Sequence, residues 1–249
     1  MTTTEVMPAL QVKSLCKLFG AQKVLDGIDL EVAPGETLAV LGRSGTGKSV
    51  LLKLLVGLQQ ADSGSIRVHG QEVTDLALKP LAELRQKVGF LFQSAALYDS
   101  LTVEENVAFP LQRHTDMSAA QQRQRVRELL ASVGLEKDLN KLPADISGGM
   151  KKRAGLARAL VLSPDILLLD EPTAGLDPIT AGEIGQLILA LQKEHKMTAI
   201  IVTHDLHGAR AVADRFALLR DGNILIDGPF EALQQSRDEF VVEFLKAGV

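Results

Sequence analysis

The sequence holds a single cysteine, Cys16, among 249 residues. A disulfide framework and a cysteine-based zinc site are therefore excluded. This usage fits a reducing cytosol, and Cys16 is expected as a small buried apolar residue. Long apolar runs are missing too. The stretches Ile166 to Leu169 and Leu51 to Leu58 fall far short of the ~20 residues that a bilayer crossing needs. Met1 to Pro8 has no basic segment followed by an apolar one, so nothing there reads as an export signal. A cytoplasmic location is expected, with peripheral attachment to a membrane open. Neither charge sign dominates: 27 basic against 31 acidic side chains give a net charge of −4. Such a surface does not hold a polyanion by displacing counterions, so nucleic acid is not an expected partner and any phosphate binding must be local.

The remaining balance, 46% hydrophobic and 23% charged, is that of a globular chain with one core or a core with a lobe. Leu10, Val12 and Leu15, then Val24, Ile28, Leu30 and Val32, recur near a two-residue period up to the turn Ala33-Pro34-Gly35 and predict an antiparallel β flap. Thr37 to Leu41 reads as a buried strand, followed by a glycine loop and the helical pattern Val50, Leu51, Leu54, Leu55, Leu58. Gln71 to Asn140 is richer in charge and helix formers. Ser118 caps a helix that stops at Gly134, and a helical lobe is expected within roughly residues 95–160. The apolar runs Ile166 to Asp170 and Thr198 to Val202 flank a helical stretch, Thr180 to Lys193, which predicts parallel strands. Phe216 to Leu219 and Asn223 to Ile226 around Asp221-Gly222 predict a hairpin, and a helical tail follows over roughly 229–249.

Between the strand at Thr37 and its helix stand Gly42, Arg43, Ser44, Gly45, Thr46, Gly47, Lys48 and Ser49, which satisfy G-x-x-x-x-G-K-[ST]. Glycines let the backbone curl so that successive N–H groups face phosphate oxygens, and the positive helix end adds to that field. Lys48 is placed for the β- and γ-phosphates of a nucleoside triphosphate, and Ser49 for Mg²⁺. A plain glycine turn with an exposed lysine does not account for the matched flanks.

Ile166 to Leu169 deliver Asp170 and Glu171 to the carboxyl end of a strand, where ligands sit in open α/β folds. Asp170 is expected to reach Mg²⁺, and Glu171, pointing elsewhere, to polarise an attacking water as general base. By themselves the two acids have a lesser, competing reading as caps of a turn, since Asp-Glu-Pro favours one. The phosphate loop decides for chemistry. Further on, Ser147-Gly148-Gly149 opens a helix whose early turns carry Lys151, Lys152, Arg153 and Arg158, so a second anion site is expected. The competing reading is an ordinary helix start with a solvated basic face.

In order and spacing, Gly42 to Ser49, Gln93, Ile146 to Gly149, Ile166 to Pro172, Ala174 to Asp177 and Thr203-His204-Asp205 resemble the nucleotide-binding subunits of ABC transporters over nearly the whole chain. The resemblance implies one domain over residues 1–249: an α/β P-loop ATPase fold with an N-terminal antiparallel β subdomain and an inserted helical subdomain. It implies hydrolysis of ATP with Mg²⁺. Phe19 would stack on adenine, while Lys48, Ser49 and Asp170 hold the triphosphate and metal. Gln93 would contact the metal and the attacking water, and His204 the γ-phosphate. Ser147, Gly148 and Gly149 would serve the ATP of a second copy, making a head-to-tail homodimer on a membrane permease at the cytoplasmic face of the inner membrane. Two positions depart from the family pattern. Met150 replaces a common glutamine and cannot donate to nucleotide, and Phe19 lacks the hydroxyl of the usual tyrosine.

Gly42 to Lys53, Leu91 to Val103 and Ile146 to Arg158 are similar to the ATPases of Mla-type bacterial lipid transport systems. That implies a phospholipid or other hydrophobic cargo and an MCE-domain lipid-binding partner. An importer ATPase for a polar solute such as an amino acid would share every catalytic motif. A soluble ABC protein acting on ribosomes or DNA would carry two cassettes or a long coiled-coil insertion, and neither is present. A kinase with a phosphate loop leaves Ser147 to Met150 without a role. Gln93 to Leu111, with Leu97 and Tyr98 reading as exposed, is the expected permease docking segment.

Overall fold

Two sheets organise the chain, one antiparallel and one largely parallel. The structure, a computed structural model, describes residues 7–247. Most of the segment read for an export signal and the last two residues of the tail lie outside them. β1 (Leu10–Phe19) and β2 (Gln22–Val32) form the flap hairpin, with Leu10 opposite Val32 and Phe19 opposite Gln22. β3 (Thr37–Leu41), buried throughout, runs into the glycine loop and α1 (Lys48–Leu55). The chain then returns to the flap as β4 (Ser63–Val68) and β5 (Gln71–Glu72), giving the order β2-β1-β4-β5. Only Ile66 and Val68 alternate in β4, too short a pattern to mark a strand.

α2 (Leu78–Gln86) leads to β6 (Val88–Leu91), followed by α3 (Val103–His114), α4 (Ala119–Ser132), a 3-10 turn at Pro143–Asp145 and α5 (Gly148–Leu160). Capping boxes fix two of these helix starts, Thr102 with Glu105 and Ser118 with Gln121. Val103, Val107 and Leu111 of α3 pack with Val126 and Leu130 of α4 and Leu156 and Leu160 of α5, which gives the helical lobe its core. After it come β7 (Ile166–Asp170), α6 (Pro178–His195), β8 (Thr198–Thr203), α7 (Leu206–Val212), the hairpin β9 (Arg215–Arg220) and β10 (Asn223–Gly228), then α8 (Phe230–Gln234) and α9 (Glu239–Ala247). The second sheet has the order β10-β9-β3-β8-β7-β6, with β9 through β6 parallel and β10 antiparallel to β9.

Register does the positioning. Leu41 pairs with Thr203 and Asp170 with Val202, so the residues that follow β3, β7 and β8 emerge at one edge of the sheet. Leu15 and Ile28 of the flap share a core with Leu52 and Leu55 of α1 and Ile200 of β8, which holds the flap against the glycine loop. Cys16 departs from expectation. It is half-buried, and its Sγ accepts a hydrogen bond from the Gly27 N–H at 3.2 Å, where register shifts flank it in β1. Among the described residues no helix is long and apolar enough to cross a membrane.

Candidate functional site

Gly47, the N-cap of α1, has φ 99° and offers no side-chain cap. The N–H groups of the first turn therefore have neither an intrahelical acceptor nor a capping side chain. A Cβ on Gly47 would lie 2.8 Å from Val24 of the flap, and one on Gly42 would lie 2.6 Å from the Leu219 carbonyl oxygen, so close packing on both sides requires these glycines. Gly45 also has a left-handed backbone, φ 83°. Lys48 Nζ donates to the Gly42 and Arg43 carbonyls at 2.8 and 3.0 Å, which draws the loop around the ammonium. The Arg43 side chain turns away, lying 3.3 Å from Glu243 and over the Phe240 ring of α9. Its part in the loop is through its backbone.

Four charged side chains are buried among the described residues, Lys48, Lys152, Asp170 and Glu171, and all four belong to one cluster. Two cations and two carboxylates balance there, as burial of charge requires. Ser49 Oγ donates to Asp170 Oδ1 at 2.7 Å. Hydroxyl and carboxylate together are hard oxygen donors of the kind Mg²⁺ takes, beside a cradle of backbone N–H groups suited to phosphate. Glu171 Oε2 accepts from Thr203 Oγ1 at 3.0 Å and lies 3.0 Å from His204 Nδ1, while Oε1 faces Lys48 Nζ at 3.6 Å. Glu171 has φ 46°, a left-handed conformation uncommon outside glycine. Burial pushes the Asp170 carboxyl above its ordinary value, and burial also pulls the Lys48 ammonium down, against the attraction of Glu171. His204 is exposed, and Asp205 caps α7 by accepting from the Gly208 N–H at 2.9 Å.

The second glycine segment stands apart from this cluster. Ser147 is the N-cap of α5, its Oγ accepting from the Met150 N–H at 3.2 Å; Ser147 and Gly148 are exposed. Gly149 is buried, and a Cβ there would meet the Thr180 methyl group of α6 at 2.6 Å, so any larger residue would have to displace Thr180. Of the four cations expected to serve a second anion site, three are engaged elsewhere. Lys152 is buried and donates to the Gln93 and Glu171 carbonyls, Arg153 donates to the Val133 carbonyl and Glu183, and Arg158 donates to the carbonyls of Ala95 and Ala96. Three of the four cations thus hold the fold together, which leaves the helix start and Lys151 for any anion affinity here. Lys152 is the site residue that sequence reasoning missed as a partner of Glu171. Its signal was its place on the buried face with Gly149, Leu156 and Leu160.

Gln93 follows β6, with its side chain exposed and its carbonyl held by Lys152. Phe19 is 46% exposed at the tip of the flap, its ring 5.3 Å from Lys17 Nζ, and it reaches the loop only through its hairpin partner strand, which carries Val24. Beyond Gln93 a cleft of about 610 Å³ opens between α2, β6, α3 and α5, with Arg85, Phe90, Phe92, Tyr98 and Phe109 among its walls. Tyr98 is 48% exposed with its ring 4.9 Å from Phe109. Leu97, read from the sequence as exposed, instead packs against the lobe's core.

The ABC transporter family profile matches residues 25–174. The chain is 44% identical over 237 residues to the probable ribonucleotide transport ATP-binding protein mkl of Mycobacterium leprae, covering 95% of this chain and 68% of that one. It is 39% identical to the intermembrane phospholipid transport system ATP-binding protein MlaF of Haemophilus influenzae, covering 95% and 90%. It is 42% identical to the methionine import ATP-binding protein MetN of Rhizobium etli, covering 90% of this chain and 61% of that one. A dimeric, post-hydrolysis structure of the ATP-binding cassette MJ0796 bound to ADP and Pi matches with a TM-score of 0.82 at 33% identity, covering 88% of this chain and 98% of that one.

Proposed function

We propose, from the premise that this chain belongs to the ABC transporter family as one of its ATP-hydrolysing subunits, that it powers lipid transport as a homodimer docked on a membrane permease. The observation that carries the catalytic reading is the approach of Glu171 Oε1 to Lys48 Nζ, 3.6 Å. It sets a carboxylate beside the lysine of the phosphate loop. Lys48 and the N–H groups of residues 42–49 bind the triphosphate of ATP, and Ser49 with Asp170 holds Mg²⁺. The hydroxyl of Ser49 and the carboxylate of Asp170 would hold a divalent cation whose charge would offset that of the phosphates. Oε2 of Glu171 is engaged by Thr203 and His204, so Oε1 is the oxygen that takes the proton of the attacking water. Gln93 orients that water, and His204 presents its other ring nitrogen, Nε2, to the γ-phosphate. Phe19 supplies a stacking face for adenine at the flap tip.

Ser147, Gly148 and Gly149 close over the nucleotide of a second copy, a reading supported by the dimeric arrangement of MJ0796. Gln93 to Leu111 borders the cleft that receives the permease, at the cytoplasmic face of the membrane. The Mla-like stretches and the identity with MlaF support a phospholipid cargo and an MCE-domain partner. The identity with MetN supports the second reading, an importer of a polar solute. Co-purifying the permease and assaying its bound lipid separates them, since a permease free of lipid that binds a polar solute sinks the lipid reading. For catalysis the test is Glu171→Gln, which keeps the shape and removes the base. It is expected to bind ATP, to lose ~10²–10⁴-fold in hydrolysis and to accumulate as an ATP-bound dimer by light scattering. Hydrolysis at the wild-type rate would refute the assignment.

A further inference from the structure

Lys152 sits where the helical period of α5 calls for an apolar side chain, on the face formed by Gly149, Leu156 and Leu160. It is 5% exposed. An ammonium in that position is costly unless its three N–H donors are used. Two of them are accounted for, to the Gln93 carbonyl at 2.6 Å and the Glu171 carbonyl at 2.8 Å. A satisfied core lysine could choose any carbonyls. This one holds the main chain of the residue that opens the permease-facing segment and of the residue proposed as general base.

The choice matters because of the backbone of Glu171. A non-glycine residue at φ 46° persists only where its surroundings fix it. Its N–H donates to the Val202 carbonyl at 2.9 Å, and its own carbonyl accepts from Ala174 N–H at 3.2 Å as well as from Lys152. That conformation sends the side chain toward Thr203, His204 and Lys48. Without the ammonium, the strained peptide loses its one charged donor, and the carboxylate can swing away from the loop.

We propose that Lys152 is a positioning residue that sets the Glu171 carboxylate for hydrolysis and ties its backbone to that of Gln93. This rests on the catalytic reading of Glu171 given above. Lys152 touches neither nucleotide nor water in this assignment; it acts through Glu171. Because the same ammonium also holds Gln93, a shift of that loop when a partner occupies the cleft is transmitted to the base through one side chain.

The test is a double-mutant cycle on single-turnover ATP hydrolysis, with ATP binding and melting curves measured on each variant. Lys152→Met keeps the stem and removes the charge. It is expected to lower kcat by roughly 10²-fold, the cost of a misplaced catalytic group, while leaving KM for ATP near that of wild type. Lys152→Arg, which restores charged donors, should recover much of the rate. In the Glu171→Gln background, Lys152→Met should cause little further loss, since the group it positions is already disabled. Near-normal kcat in Lys152→Met overturns the inference, as does an equal loss in both backgrounds or a KM that rises in step with the fall in kcat. If Lys152→Met does not fold, Lys152→Gln and Lys152→Arg carry the same comparison. Wild-type hydrolysis by Glu171→Gln alone would instead remove the catalytic reading itself.

Discussion

Ser49 Oγ donates to Asp170 Oδ1 at 2.7 Å, joining the first turn of α1 to the last residue of β7. The bond spans two elements far apart in sequence, and it depends on sheet register. β3 and β7 both flank β8, so the loop after one and the carboxylate ending the other meet at the same edge. A hydroxyl and a carboxylate held together in this way form a ready-made pair of hard donors.

Removing the hydroxyl separates metal binding from phosphate binding. Ser49→Ala is expected to retain ATP affinity without metal, while the Mg²⁺ concentration for half-maximal hydrolysis rises by at least ~10-fold, the scale of losing one supporting group at a metal site. A Mg²⁺ titration of ATPase activity checks this. An unchanged titration would place the metal elsewhere.

The buried charge of Asp170 should cost stability. Burial raises its carboxyl above the ordinary value, outweighing the Ser49 hydrogen bond. The folded state thus holds this proton more tightly than the unfolded chain, and stability falls as pH rises from the unfolded carboxylate value through the folded one. Asp170→Asn, melted without nucleotide and in a chelator, should melt at a higher temperature than the wild type at neutral pH. The gain should shrink as pH falls to ~4 and vanish well below it, where the carboxyl is protonated in both states. Mg²⁺-dependent hydrolysis should be lost. A lower melting temperature for the variant across the whole pH range would contradict this account.

The glycine loop was legible because a motif, a strand and a helix start coincide within a few residues, and Asp170 and Glu171 because four apolar residues precede them. What the sequence hid depends on tertiary packing. Lys152, Arg153 and Arg158 read as cations of a second anion site until carbonyls of the Gln93 loop, α4's end and Glu171 are seen to receive them. Gly149 read as a phosphate glycine, and the sequence did not show that a Cβ there would also press on the Thr180 methyl group at 2.6 Å. β4 escaped notice because two apolar residues cannot establish a period. Short-range pattern reports what a segment is, and burial of a charge reports what it touches.

Met150 should tolerate replacement by the more usual glutamine. Its N–H donates to Ser147 Oγ, and its side chain packs half-buried against the lobe's core. Backbone N–H groups supply the anion-binding power of a helix start, so ATPase activity of Met150→Gln should change little. A small fall in melting temperature is expected from the lost apolar contact. Complete inactivation in an assay matched for folded protein would show that methionine itself is needed for hydrolysis.

The cleft beyond Gln93 gives the last prediction. Tyr98 and Phe109 face each other across part of its wall, with Tyr98 half-exposed, and an aromatic surface left open beside an ATP site is suited to burial by a partner. The wall is held rigid from behind: Arg158 donates to the carbonyls of Ala95 and Ala96, both in left-handed conformations, so the loop cannot simply fold inward to cover the rings. Leu97 is the wrong residue to probe, because a charge there would disrupt the lobe's own core. Tyr98→Glu and Phe109→Glu, by contrast, put charge where a permease segment would press. Each should keep ATP binding and basal hydrolysis by the isolated subunit, and each should weaken association with the permease by at least ~10-fold, as truncation of an aromatic anchor commonly does. Co-purification and lipid transport in vesicles are the measurements. Variants that assemble and transport normally would move the docking site off this cleft, whereas loss of basal hydrolysis in the isolated subunit would show that the rings support the catalytic edge instead.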